Sequence, residues 1–191
     1  ARTKYMLDKL EPTLYENGYY YNNKFKKQKE HTLHMAALDW ENARKGAPLS
    51  YDQTQRIYGY MSVDKNKLKS MTKDGMYDIT TLKKDYNLKT DAVWFEAFDT
   101  APRREVNYLK QMRRRGEKLN EAPRITLSTI HGAKGGEAEN VVLLTDLSFN
   151  TMRSYEKNPD DENRLFYVGA TRTKEHLHII RPQQENKGYD L

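Results

Sequence analysis

Hydrophobic positions fall into three blocks of different texture along the chain. In the first, Leu7, Leu10 and Leu14 recur at helical spacing from about Thr3, Gly18 offers a stop, and Tyr19-Tyr20-Tyr21 reads as extended. Pro12 lies inside that stretch, and its ring and missing N–H predict a kink or a split. The second block runs from about Lys29 to Glu121. Leu33, Ala36, Ala37 and Trp40 share one helical face closed by Gly46 and Pro48, and Ser50 with Gln53 forms a capping box for a helix through Ile57 and Met61. Further short helices are predicted over 91–98 and 103–115. Aliphatic strand patterns are missing here, so the expectation is a helical insertion with little core of its own.

The third block changes again. Residues 125–129 alternate like a strand, and Val141-Val142-Leu143-Leu144 is a continuous apolar run that suits a parallel strand covered on both faces. Asn158 as N-cap, Pro159 in the first turn and Asp160, Asp161 and Glu162 at the positive end of the dipole open a helix. Leu165, Val168 and Gly169 supply its predicted buried stripe. Residues 176–180 form another strand, closed by Pro182. Strand, strand, helix, strand predicts an α/β fold with a parallel sheet flanked by helices, which the extended segment near Tyr21 joins. The expected boundaries are 1–28 and 122–184 for the sheet-bearing domain, 29–121 for a helical inserted subdomain and 185–191 for a tail.

Composition tests that picture. Leu, Ile, Val and Phe together make about 18% of the 191 residues, low for a packed fold, but 14 Tyr and 2 Trp bury area that the aliphatic count misses. A net charge of +6 falls short of the repulsion that keeps a chain unfolded. The absence of Cys excludes a disulfide scaffold, a thiol nucleophile and a thiolate metal site, and suits a reducing compartment. No apolar run approaches a membrane span, and no signal-peptide pattern opens the chain. It begins inside a predicted helix without an initiator Met, so it is expected to be a piece of a longer protein.

Two places could carry chemistry. The segment Thr129-Ile130-His131-Gly132-Ala133-Lys134-Gly135-Gly136-Glu137 leaves the end of a strand with three glycines. Read on its residues, it is either a phosphate-binding turn or a flexible connection; the Walker A order fails because Gly135 follows Lys134. Arg172 ends the stripe of the third-block helix. It is either a cap on the helix C-terminus or a guanidinium held at a domain edge to reach a phosphate on a neighbouring domain. His31, His34, His131, His176 and His178 show no metal-ligand spacing, so no metal site is expected. Two basic clusters, Lys24, Lys26, Lys27 and Lys29, then Arg103, Arg104, Arg113, Arg114 and Arg115, are solvated faces or, with aromatics beside them, a groove for single-stranded nucleic acid.

Residues 125–137 followed by 141–144 resemble motif V of superfamily 1 helicases of the UvrD/Rep/PcrA type, and Glu162-Asn-Arg-Leu-Phe-Tyr-Val-Gly-Ala-Thr-Arg172 resembles their motif VI. Arg2-Thr3 with Gly18-Tyr19 resembles, more weakly, the segment before the family's accessory insertion. The resemblance implies the second of two RecA-like motor domains, with ATP bound between the two and Mg2+ held mainly by the first, which this chain lacks. It implies Arg172 as an arginine finger and Glu137 as the carboxylate on the ATP ribose. Lys134, Gly135 and Gly136 would lie by the nucleotide, Thr129 and His131 by the single-stranded DNA track, and Arg164 and Tyr167 would support the motif VI helix and the domain interface. Implied partners are single-stranded and duplex DNA and the other motor domain, and the implied location is cytoplasmic. Gly136 and Asn163 depart from the Leu and Arg common in the family, and the insertion is short. A non-catalytic nucleic-acid-binding module with the same fold is the alternative, and a partner-docking scaffold a third.

Overall fold

A computed structural model describes residues 1–26, 32–119, 121–182, 184 and 187–190. Helix α1 (Lys4–Glu16) runs through Pro12 without a break, which corrects the expected split. Pro12 withholds one backbone bond from the Asp8 carbonyl, whereas Leu7 is buried and Leu10 and Leu14 are half-buried on either side of it. Packing therefore anchors both halves. Gly18 ends the helix with its N–H on the Tyr15 carbonyl at 3.0 Å. Strand β1 (Tyr21–Asn23) follows, then α2 (Thr32–Arg44), β2 (Leu49–Ser50), α3 (Tyr51–Tyr58), β3 (Met76–Tyr77), α4 (Ile79–Asp85), α5 (Trp94–Ala97) and α6 (Arg103–Arg114). The last third contributes β4 (Ile125–Leu127), β5 (Ala138–Leu144), α7 (Phe149–Lys157), α8 (Pro159–Ala170) and β6 (Thr173–Ile180). The chain divides into two compact units, 1–28 with 120–191, and 29–119.

In the unit 29–119 the capping box forms as its sequence dictates: the Gln53 N–H donates to Ser50 Oγ at 3.3 Å and the Ser50 N–H to Gln53 Oε1 at 2.8 Å. Asp39, buried on α2, accepts from Gln53 Nε2 at 2.8 Å and from Arg56 at 3.2 Å. Trp40, Ile57, Tyr58 and Leu82 are fully buried, and the Trp40 indole donates to the Ala92 carbonyl at 2.9 Å. The expectation of little core is thus corrected. Leu, Ile, Met and aromatic side chains from several helices fill it together, and a search for aliphatic strands misses a core built on helices. The short strands β2 and β3 pair antiparallel.

In the unit 1–28 with 120–191, β1 pairs parallel with β4 (Tyr21 opposite Ile125) and β5 pairs parallel with β6 (Val141 opposite Leu177). Among the described residues these are two separate pairs rather than the single sheet expected. Just beyond β4, Ala1 makes a bridge of the parallel kind: its amine donates to Ser128 O at 3.2 Å, and the Ile130 N–H donates to Ala1 O at 2.9 Å. β5 is covered on one face only, a second correction: Leu143 is buried beneath α8, while Val142 is 60% exposed.

Pro159 opens α8 as its position predicts, although the Asn158 side chain makes no cap bond. Its buried line is Glu162, Phe166 and Gly169, with Leu165 and Val168 only half-buried. Gly169 is a contact residue. A Cβ there would come within 3.1 Å of Leu143 Cδ1 and 3.3 Å of Ile130 Cγ2, so glycine sets how closely α8 lies on β5. Residues 187–189 are not a loose tail. The Leu147 N–H donates to Lys187 O at 2.9 Å and the Tyr189 N–H to Thr145 O at 2.8 Å.

Candidate functional site

The turn that follows β4 is closed by its own side chains. Thr129 is buried, and its Oγ1 accepts the Gly132 N–H at 3.1 Å. The amides of Ala133, Lys134 and Gly136 donate to the carbonyls of Thr129, His131 and Ala133 at 3.0, 3.2 and 3.0 Å. Four amides are therefore occupied inside the turn and not presented as a phosphate cradle. Thr129 faces inward as a turn-former, its hydroxyl engaged by the Gly132 N–H. His131, Lys134 and Gly136 are exposed instead, and Gly135 turns the backbone at φ +80°.

Arg172 lies just past the end of α8 and is half-buried. Its Nε donates to Val168 O at 3.0 Å, one Nη to Thr171 Oγ1 at 3.2 Å and the other to Gly136 O at 3.5 Å. The bond from Nε fits the reading of this residue as a helix cap. Nε caps the helix C-terminus, while the two terminal nitrogens make longer contacts beside the glycine turn. The Ala138 N–H donates to the Arg172 carbonyl at 3.0 Å, which pins that end of α8 to the start of β5. Glu137 is exposed, with Lys174 Nζ 3.6 Å from Oε2. Arg172, Glu137, Lys174 and Gly136 thus share one end of the β5–β6 pair, a cluster of two cations and one carboxylate around a turn.

Arg164 and Tyr167 stand on the outside of α8. Arg164 is 4.0 Å from Asp161, and Tyr167 is 69% exposed. What holds the helix lies elsewhere. Arg2 grips Glu162 through two hydrogen bonds of 2.7 Å each, and these bonds raise the arginine pKa above its ordinary value. The Tyr189 ring stacks on Phe166 with centroids 4.1 Å apart, and its hydroxyl donates to Asn163 Oδ1 at 2.8 Å. Burial pushes the Tyr189 pKa up. Sequence reasoning assigned Glu162 to the helix dipole because its partner lies 160 positions away, and Tyr189 carried no local signal at all.

Of the basic positions, Lys26 is held by Asp8 at 2.6 Å and by a short contact with Glu11. Lys24 Nζ donates to Gly132 O at 3.1 Å. Lys27, Lys29 and His31 lie outside the described residues. Arg103, Arg104, Arg113, Arg114 and Arg115 are exposed on or just beyond α6. His176 and His178 are exposed on β6, and among the described residues no group of three His, Asp or Glu side chains is placed to hold a metal. Nor is any described helix long and apolar enough to cross a membrane.

A family model, the UvrD-like helicase C-terminal domain, matches residues 5–184. The chain belongs to that family. Within this UvrD-like helicase C-terminal domain the matched span takes in the turn after β4, all of α8 and Arg172, and it stops short of Lys187–Tyr189. No curated protein and no solved structure matches the chain.

Proposed function

We propose that this UvrD-like domain is the second RecA-like motor domain of an ATP-dependent DNA helicase, with 29–121 as its accessory subdomain, and that it supplies the arginine finger and part of the single-stranded DNA path. The observation that carries the reading is the Arg172 guanidinium, fixed to the helix end by Nε while its terminal nitrogens stand half-exposed beside Gly136. The donor set around it suits a nucleotide. Guanidinium and ammonium groups match a polyphosphate, and an exposed carboxylate at Glu137 matches a ribose hydroxyl. When bound, ATP with Mg2+ supplies the phosphoryl bond that is broken; the cation would be held mainly by the first motor domain.

Arg172 contributes a positive charge that needs no reorganisation, because the Val168 and Thr171 contacts already orient it. Such a finger is worth on the order of 10³–10⁵ in rate in related NTPases, or roughly 4–7 kcal/mol. Since it projects from one domain toward a nucleotide held by another, hydrolysis requires the two to close. Closure and reopening alternate with the grip on DNA, and directed movement follows.

In the helicase that carries this chain, Arg172→Ala should lower kcat for DNA-stimulated ATP hydrolysis by about 10³ or more, with single-strand affinity little changed. The 191-residue chain alone, which has no Walker A sequence, should show no turnover. The 3.0 Å bond from Nε to Val168 also favours a second reading, a non-catalytic nucleic-acid-binding module in which Arg172 only caps α8. Loss of DNA affinity and stability in step with kcat would make Arg172 a structural residue; DNA binding by the full-length protein with no DNA-stimulated ATP hydrolysis at all would select the non-catalytic reading.

A further inference from the structure

The side chain of Phe25 stands at the lip of the turn after β4, and the backbone around it is pinned. Asn23 Oδ1 accepts the Phe25 N–H at 3.0 Å, the Lys24 N–H donates to Leu127 O at 3.1 Å, and the Lys26 N–H donates to Asn23 O at 3.0 Å. The ring leans on Gly132 so closely that a Cβ at that position would come 3.0 Å from Phe25 Cζ and 2.8 Å from Ser128 Oγ. Glycine at 132 is what lets the ring rest there, one residue from the exposed His131. Even so, Phe25 remains 38% exposed. Two cations border it: Lys4 Nζ lies 4.4 Å from the ring centroid, and Lys24 reaches past the ring to Gly132 O. A shallow recess bounded by Lys4, Leu7, Asp8, Asn23, Phe25 and Lys26 opens alongside, its one carboxylate, Asp8, already paired with Lys26.

A large apolar ring held rigid and partly in water, with ammonium groups on its flanks, has the two properties that bind single-stranded nucleic acid. Its π-face stacks on any base, and the cations neutralise the adjoining phosphates. The lysine–ring contact is weak at an exposed site, so Lys4 can exchange the ring for a phosphate and uncover the face. We propose that Phe25, flanked by Lys4 and Lys24, is a base-stacking step for single-stranded DNA beside His131. This rests on the reading that the turn after β4 lies on the DNA path. Tyr5, 65% exposed with Lys9 Nζ 4.6 Å from its centroid, pairs an exposed ring with a lysine on α1 and serves as the internal control.

The test measures binding of the 191-residue chain, by fluorescence anisotropy, to a labelled oligo-dT and to an abasic phosphodiester strand of equal length. Phe25→Ala should weaken oligo-dT binding by roughly 5- to 150-fold and leave the abasic strand almost unaffected, while Phe25→Trp restores the preference and Tyr5→Ala changes neither. Lys4→Ala should weaken both strands and flatten the salt dependence. Equal loss on both strands in Phe25→Ala, or no loss on either, overturns the stacking step. If His131→Ala weakens oligo-dT binding where Phe25→Ala does not, the DNA path stands and only the Phe25 step falls. If the unsubstituted chain binds neither strand, the DNA reading of the turn falls with it.

Discussion

The two units of this chain solve the same packing problem to different degrees. In 29–119, Trp40, Leu49, Ile57, Tyr58 and Leu82 are sealed from water, and a buried Asp39 has both its oxygens satisfied. In 1–28 with 120–191, β5 and β6 keep Val142, Ile179 and Ile180 between 42% and 60% exposed, and Phe149 is 82% exposed. The motif-bearing unit is the open one. On the proposed motor reading, a unit that binds a nucleotide, a strand of DNA and another domain keeps such surface available; 29–119 exposes apolar side chains too, Met35, Leu38, Met76 and Phe95, but around a sealed aromatic and aliphatic centre.

The contrast is sharpest at Trp40. Trp40→Ala should cost about 3–5 kcal/mol, since it removes a fully buried indole and orphans the Ala92 carbonyl. Urea unfolding followed by circular dichroism checks it. Next in size is Arg2→Ala, which strands the nearly buried Glu162 carboxylate and should cost about 3 kcal/mol, with Arg2→Lys recovering only part because the paired donors are lost. Smallest is Val142→Thr, expected within about 0.5 kcal/mol. Were it to cost as much as Trp40→Ala, the open face of β5 would not be open.

Local patterns are legible where the cause is local. The Ser50–Gln53 box, the Pro159 start of α8 and the Gly18 stop follow from hydrogen bonds and dihedral limits within a few residues. Motif resemblance reached the turn after β4 and Arg172, but not which atoms face outward. Thr129 turned inward because its hydroxyl closes the turn, a choice invisible in residue type. Glu162 and Arg2, Tyr189 and Phe166, and Phe25 and Gly132 are each far apart in the chain, and no periodicity encodes such meetings. The core of the helical middle is hidden for another reason: its Leu, Ile, Trp, Tyr and Ala side chains sit singly on short helices, where a search for aliphatic strands sees little.

The docking of Lys187–Tyr189 has a practical consequence at the bench. Those residues are stitched to Thr145 and Leu147 and stacked on Phe166, the helix residue six positions before Arg172. Any alteration of those residues would act on that same helix, so preparations that differ there should be assayed side by side with the unaltered protein.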